Sequence, residues 1–314
     1  MARVFCERMK LFITGSSGKL GRALLPQLIS KKRYFIILLN RKEVFSKQHD
    51  RIRVIKGDLQ NTASYSNALA GVHTLLHMGA ITHTNLIKEY FQVNTEATGR
   101  LIHAAKEVGV KRIIYVSSLA ISPQGGAYCK SKSMAEDLLK KSGLNWVIIR
   151  PAEIYGLSPE ETIGKLIRLI HKSPIIPILG DGEYKLSPVF AEDVVGAIVR
   201  IIEDTNLTEK EYNLTGPEEY SCNDFIRLLL KLSGKKRYKI HIPVFFVEFV
   251  ARYLAHLGTR KPPIVIDQIP RLLSPKPSGF ILANKDLYYN PQHIQDVVSD
   301  GKRLLSLYNS HISY

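Results

Sequence analysis

Tyr128 and Lys132 stand four residues apart in the run Tyr128-Cys129-Lys130-Ser131-Lys132. On a helix that spacing puts both side chains on one face. A phenol in water ionises near pH ~10, too weak an acid for most neutral-pH chemistry. A nearby ammonium stabilises the phenolate and brings the proton within working range. Such a pair moves a proton on and off the oxygen of a carbonyl/alcohol couple. Ser118, ten positions before Tyr128, directly follows the apolar run Arg112–Ser117, where its hydroxyl would hydrogen-bond the same oxygen. Ser118, Tyr128 and Lys132 are therefore the expected catalytic set, with Lys132 also suited to hold a ribose. Cys129 reads as a packing residue, because no His stands beside it to generate a thiolate.

Proton transfer at such an oxygen needs a hydride carrier, and one is signalled upstream. Thr14-Gly15-Ser16-Ser17-Gly18-Lys19-Leu20-Gly21 follows a strand-like run and opens a helix-like one. Gly15 permits a tight turn, Gly18 lets the backbone approach a diphosphate, and Gly21 allows close packing of helix on sheet. The helix start adds free N–H groups and a partial positive charge. Gly15, Ser17, Gly18, Lys19, Leu20 and Gly21 are thus expected to cradle a dinucleotide. The second strand ends in Leu39-Asn40-Arg41-Lys42-Glu43. Arg41, with Lys42, suits a 2′-phosphate and makes NADP(H) the preferred cofactor; Glu43 keeps NAD(H) as the alternative. Asp58 and Leu59 close the third strand, where Asp58 either accepts from the adenine amino group or simply makes a turn.

These groups need a frame that brings strand ends together. Strand-like runs at Leu11–Thr14, Tyr34–Leu39, Arg53–Ile55, Thr74–Met78, Arg112–Ser117 and Trp146–Arg150 alternate with helical stretches at Lys19–Ser30, Thr62–Ala70, Leu86–Val108 and Ala127–Ser142. That rhythm predicts an α/β fold, a Rossmann-type doubly wound parallel sheet. Beyond Arg150 prolines break the pattern, and a smaller, mostly helical C-terminal substrate lobe is expected. The division expected is 9–155 for the dinucleotide domain, with 184–210 returning to it, and 156–183 with 211–314 for the lobe.

The chain has 314 residues, of which 45% are hydrophobic and 23% charged, an ordinary globular composition that excludes wholesale disorder. Its formal charge of +16 first suggests nucleic acid. Yet residues 1–150 hold 24 basic and 9 acidic side chains, and residues 151–314 hold 20 and 19, so the excess lies on the cofactor half. No basic stripe interleaved with aromatics appears, and no nucleic-acid partner is expected. Three scattered cysteines, no secretory run and no span of about 18 apolar residues point to a cytoplasmic protein with no metal site and no membrane span. Peripheral membrane association stays open, although Ile242–Leu257 is expected to be an amphipathic helix packing on its own domain.

The motifs taken together resemble the extended short-chain dehydrogenase/reductase family, the group of NAD-dependent epimerases and dehydratases. Besides the glycine loop they include GDL at Gly57–Leu59, HMGA at His77–Ala80, VN at Val93-Asn94, YVSS at Tyr115–Ser118, RPAEIYG at Arg150–Gly156, SPVFAEDVV at Ser187–Val195 and YNLTGPE at Tyr212–Glu218. The resemblance implies that Ser118, Tyr128 and Lys132 are the catalytic trio. It places Met78, Gly79, Ala80 and Pro151 beside the cofactor and gives Asn94 a supporting role there, while His77 packs. A homodimer through the two long helices of the first half is expected by analogy. The chain also departs from the pattern. The Ser118–Tyr128 loop is short, Ser122-Pro123 replaces the usual Tyr-Gly, no acidic pair follows Ser118, and Glu153 stands where many sugar-nucleotide members carry Asn. The leading expectation is an NADP-preferring oxidoreductase or epimerase acting on a small molecule, a nucleotide-linked sugar. A sterol- or isoprenoid-like substrate is the alternative, favoured by Glu153 and the apolar Pro243–Phe249. A non-catalytic, cofactor-holding subunit is the third reading.

Overall fold

A computed structural model describes residues 8–42, 49–256, 265–274, 276 and 279–298. Six strands follow the expected rhythm: β1 (Met9–Thr14), β2 (Tyr34–Asn40), β3 (Ile52–Lys56), β4 (Thr74–His77), β5 (Arg112–Val116) and β6 (Asn145–Pro151). Their apolar runs are nearly continuous because the sheet is covered on both faces. Along β1, Leu11 and Ile13 join one core with Leu24, Ile36 and Ile198, while Phe12 joins the opposite core with Leu75, Leu101 and Ile148. Helices α1 (Lys19–Ser30), α2 (Ile87–Tyr90), α3 (Thr98–Glu107) and α4 (Gly126–Lys140) make the crossovers.

The parallel sheet has seven strands, in the order Lys210–Leu214, β6, β5, β4, β1, β2, β3. The order reverses between β1 and β4, and ligands of such sheets bind beyond the strand ends at that reversal. The seventh strand was not expected. Only Tyr212 and Leu214 of its five residues are buried, so its apolar signal is weak. It also moves a boundary, because a cut after residue 210 runs through it. The Ile281–Leu287 helix follows it into the first domain, with Ala283, Leu287 and Tyr289 in the same core as Leu11 and Ile13.

Two helical expectations change as well. The stretch 62–70 forms two short 3-10 turns, Thr62–Ser64 and Ser66–Leu69. There Ser64 Oγ donates to the Asn61 carbonyl (2.6 Å) and accepts from Asp58 N (3.2 Å), competing with helical hydrogen bonds. Between α2 and α3 the helix widens into a π-helical stretch, Phe91–Ala97, which holds Asn94. In the lobe, the Thr162–Lys172 and Cys222–Ser233 helices pack with the parallel strand pair Ile175–Leu179 and Tyr238–Ile242. The Val244–His256 helix departs from its expected packing. Ala251 is its buried residue, and its aromatic face is turned to water. Leu257, the last residue of the helix expected there, lies outside the described residues, as does Glu43.

Candidate active site

The glycine loop lies at the reversal of strand order. Gly15 has φ +75°, and a Cβ there would stand 2.6 Å from Gly79 N, so the β1 and β4 exits approach backbone to backbone. Thr14 Oγ1 contacts His77 Nδ1 (2.6 Å) and accepts from Gly79 N (3.1 Å), which closes the same seam. His77 is buried, also meets Thr98 Oγ1 at 2.9 Å, and is pushed down to about 3 by burial and the Lys132 charge; it packs, as expected. At Gly21 a Cβ would come within 2.5 Å of Ser16 Cα. Gly18 precedes α1 without a side-chain cap, and Ser17, Gly18 and Lys19 are exposed, with Leu20 half-buried. A backbone cradle free of side chains, opening onto an uncapped helix start, fits the diphosphate of a dinucleotide.

At the end of β2, Asn40 is buried. Its Oδ1 accepts from Ser16 Oγ (2.8 Å), while its Nδ2 has no protein partner. A neutral amide thus ends the strand, with the exposed Arg41 next to it. Asp58 makes a turn by accepting from Gln60 N (2.9 Å), and Leu59 packs against the core. Met78 and Gly79 are half-buried and Ala80 exposed at the β4 exit. Pro151 is buried at the end of β6, where its carbonyl accepts from Leu119 N (3.0 Å). Asn94 sits behind this face. Its Oδ1 accepts from Ile81 N (2.8 Å), and its Nδ2 donates to Ile81 O (3.0 Å) and Ser131 Oγ (3.2 Å). Its amide is occupied by these protein groups and fixes the backbone at Ile81, next to Ala80.

The structure brings Ser118, Tyr128 and Lys132 together at the ends of β5 and α4, but the charges are arranged differently from expectation. Burial raises the Tyr128 phenol above its ordinary value; the Arg271 guanidinium and a hydrogen bond with Ser118 pull it back. Arg271 lies 4.5 Å above the phenol ring centroid. The Lys132 ammonium turns instead to the Val116 carbonyl (2.9 Å) and lies 4.1 Å over the Tyr115 ring. Burial pushes it down to about 7, against the opposing pull of Glu136. A buried ammonium takes the acceptors within its reach, and the β5 end supplies one. Cys129 donates its thiol to the Ala120 carbonyl (2.9 Å) and is pushed up to about 11 by burial, as suits a packing residue.

Two residues that hold this geometry escaped sequence reasoning. Asp267 accepts from Ala127 N (2.6 Å) and Tyr128 N (3.2 Å), capping the helix that carries the phenol. Arg271, one turn further on, also donates to the Thr82 carbonyl (3.2 Å). Their one signal was an Asp and an Arg at helical spacing in a proline-broken segment. Nearby, His83 meets Gln268 Nε2 at 2.6 Å and is pushed down to about 4 by burial and by the charges of Arg271, Lys165 and Lys19. Glu153 accepts from Lys276 Nζ (2.9 Å) and from Ser187 N (3.2 Å).

Gly126 has φ +85°, and a Cβ there would fall 2.6 Å from Asp267 Oδ1; Gly109 has φ +81° with nothing within 4 Å. Gly126→Ala and Gly109→Ala therefore share the backbone strain, and only the first strikes the cap. Thermal unfolding should show Gly126→Ala more destabilised by about 1–3 kcal/mol. Equal losses would refute the Asp267 contact.

Comparison with known proteins covers both halves of this site. Residues 15–169 match a family model described as NAD(P)H-binding, and residues 120–244 match the 3-beta hydroxysteroid dehydrogenase/isomerase family. The chain is 25% identical to a ceramide reductase of Caulobacter vibrioides over 74% of its own length and 73% of the relative's. It is 26% identical to a UDP-glucose 4-epimerase of Vibrio cholerae, over 75% and 79%. In fold it matches UDP-glucuronic acid 4-epimerase from Bacillus cereus with a TM-score of 0.75, at 21% identity and covering 96% of this chain and all of that one. The two family matches overlap across α4, the helix that carries Tyr128, and together they make the chain similar, over residues 15–244, to the epimerases, dehydratases and reductases of the extended short-chain dehydrogenase/reductase type.

Proposed function

We propose that this chain is an oxidoreductase in which Tyr128 is the proton donor and acceptor for a carbonyl/alcohol carbon, with NADP(H) as its preferred cofactor. The observation that carries this is the buried phenol, hydrogen-bonded by Ser118 and lying under the Arg271 cation, with Lys132 buried one turn further along. The nicotinamide, when bound, supplies or takes up the hydride. In reduction, Tyr128 gives its proton to the oxygen as negative charge develops, and Ser118 holds that oxygen. Arg271 and Ser118 favour the phenolate left behind, which lowers the barrier where charge appears. Lys132 is suited to hold ribose hydroxyls. The cradle of Gly15 to Gly21 would take the diphosphate. Asn40 and Arg41 support the NADP(H) reading, because a neutral amide and a guanidinium suit a 2′-phosphate better than a carboxylate would.

For the substrate, Glu153 favours the apolar class. Its carboxylate is occupied by Lys276 and Ser187, so a diphosphate placed there would have to break that pair. The match to the hydroxysteroid family and the ceramide reductase relative support the same class. The nucleotide-linked sugar stands as the second reading, supported by the UDP-glucose 4-epimerase relative. The homodimer expectation is supported by Met134 and Leu138, exposed on α4.

Tyr128→Phe should keep cofactor affinity, read by quenching of nicotinamide fluorescence, and lose about 10²–10⁴-fold in turnover of a carbonyl substrate. Unchanged turnover would remove the proton role. In Arg41→Ala, affinity for NADPH should fall about tenfold or more while NADH affinity changes little. Parallel losses of both would contradict the 2′-phosphate reading.

A further inference from the structure

The Val244–His256 helix keeps one side against the protein through Val247 and Ala251 and turns another outward. Phe245, Phe246, Phe249 and Tyr253 are 73%, 53%, 67% and 59% exposed. At helical pitch these four fall within an arc of about 100°. Arg252 borders the same arc, His256 falls within it, and both are exposed. The strand that leads into the helix continues the theme. Tyr238 and Ile240 are exposed, and Tyr238 pairs in register with the exposed Ile175. Water-facing aromatic surface on this scale marks a place where something docks.

Charge identifies the occupant. Residues 234–256 hold five basic side chains, Lys235, Lys236, Arg237, Lys239 and Arg252, against the single acid Glu248, a net +4. The rest of residues 151–314 holds 15 basic and 18 acidic side chains, a net −3. The positive charge among the described residues of this half is therefore concentrated in the segment that carries the aromatic face. A two-fold contact between copies would set two such positive surfaces against each other, which disfavours self-pairing. Rings that enter the headgroup boundary while flanking cations meet lipid phosphates describe an interfacial helix. We propose that the Phe245–Tyr253 face and its flanking cations dock this chain onto an anionic membrane surface. The contact proposed is one of the surface: the helix has 13 residues, and among the described residues no helix is long and apolar enough to cross a membrane. It also stands just upstream of Asp267 and Arg271, the residues that cap and cover the Tyr128 helix end.

The test is co-sedimentation of the full chain with vesicles of phosphatidylcholine, with and without about a quarter phosphatidylglycerol. Binding is expected to the anionic vesicles and should weaken about tenfold or more in ~0.5 M salt or without the anionic lipid. Phe246→Ser combined with Phe249→Ser should lower vesicle affinity at least about tenfold, with thermal unfolding unchanged because both rings are exposed. The proposal is overturned if the wild-type chain stays in the supernatant, or if the double variant binds as well as wild type. Concentration-dependent self-association that the double variant abolishes would assign the face to a second copy, and retention on single-stranded RNA in place of vesicles would assign it to nucleic acid. The assay uses no substrate, so its failure leaves the catalytic reading untouched.

Discussion

A lysine that is 1% exposed has to find its stabilisation in what surrounds it. Lys132 reaches one carbonyl at the end of β5 and the face of one ring, while Glu136, a turn along α4, is the charge that favours its protonated form. Glu136 is itself buried and paired by Arg150, whose guanidinium also meets Glu211 Oε2 at 2.6 Å. Glu211 belongs to the seventh strand and takes a second cation, Lys140 Nζ, at 2.5 Å. One chain of charge thus runs from α4 through β6 to the edge strand. Breaking a buried pair of this kind leaves an uncompensated charge behind, so the network fixes where α4 lies. The position of Tyr128 follows, because it shares that helix.

The other end of α4 is fixed from a different part of the chain. Asp267 supplies the cap that the helix start does not provide for itself, since Gly125 precedes it without a side-chain bond. Gly126 must be glycine to let that carboxylate approach. Arg271 then lies over the phenol and supplies the cation that sequence spacing had assigned to Lys132. The first half of the chain supplies the cradle for a dinucleotide, and a short C-terminal segment completes the electrostatics of the phenol.

Much of this was legible in the sequence because it is encoded locally. The glycine loop, the strand–helix rhythm and the Ser118, Tyr128, Lys132 set each lie within a few residues of what they need. What escaped depends on partners distant in the chain: Asp267 meets Ala127 from 140 positions away, and Lys276 meets Glu153 from 123. The seventh strand was missed because it shows only two buried side chains, and the 62–70 stretch because Ser and Asn side chains compete for its backbone. The Val244–His256 helix shows a further limit. Its amphipathic pattern was visible, but periodicity says only that two faces differ, not that the apolar one is covered.

The central claim is that burial holds Lys132, on the helix that carries the proposed proton donor Tyr128, well below its ordinary value while its ammonium faces the end of β5. Burial takes it from an ordinary 10.5 down to about 7 in the folded chain. Between those values the unfolded chain binds more protons, so stability should rise with pH across that window. Below about 7 the lysine is charged in both states and its burial cost is felt in full. The most direct measurement is thermal unfolding of wild type and Lys132→Met from pH 6 to pH 10, about the span of that window, with turnover followed alongside. The account predicts that Lys132→Met melts higher at pH 7, loses part of the rise of stability with pH, and turns over far more slowly. A lower melting temperature with an unaltered pH dependence would contradict it.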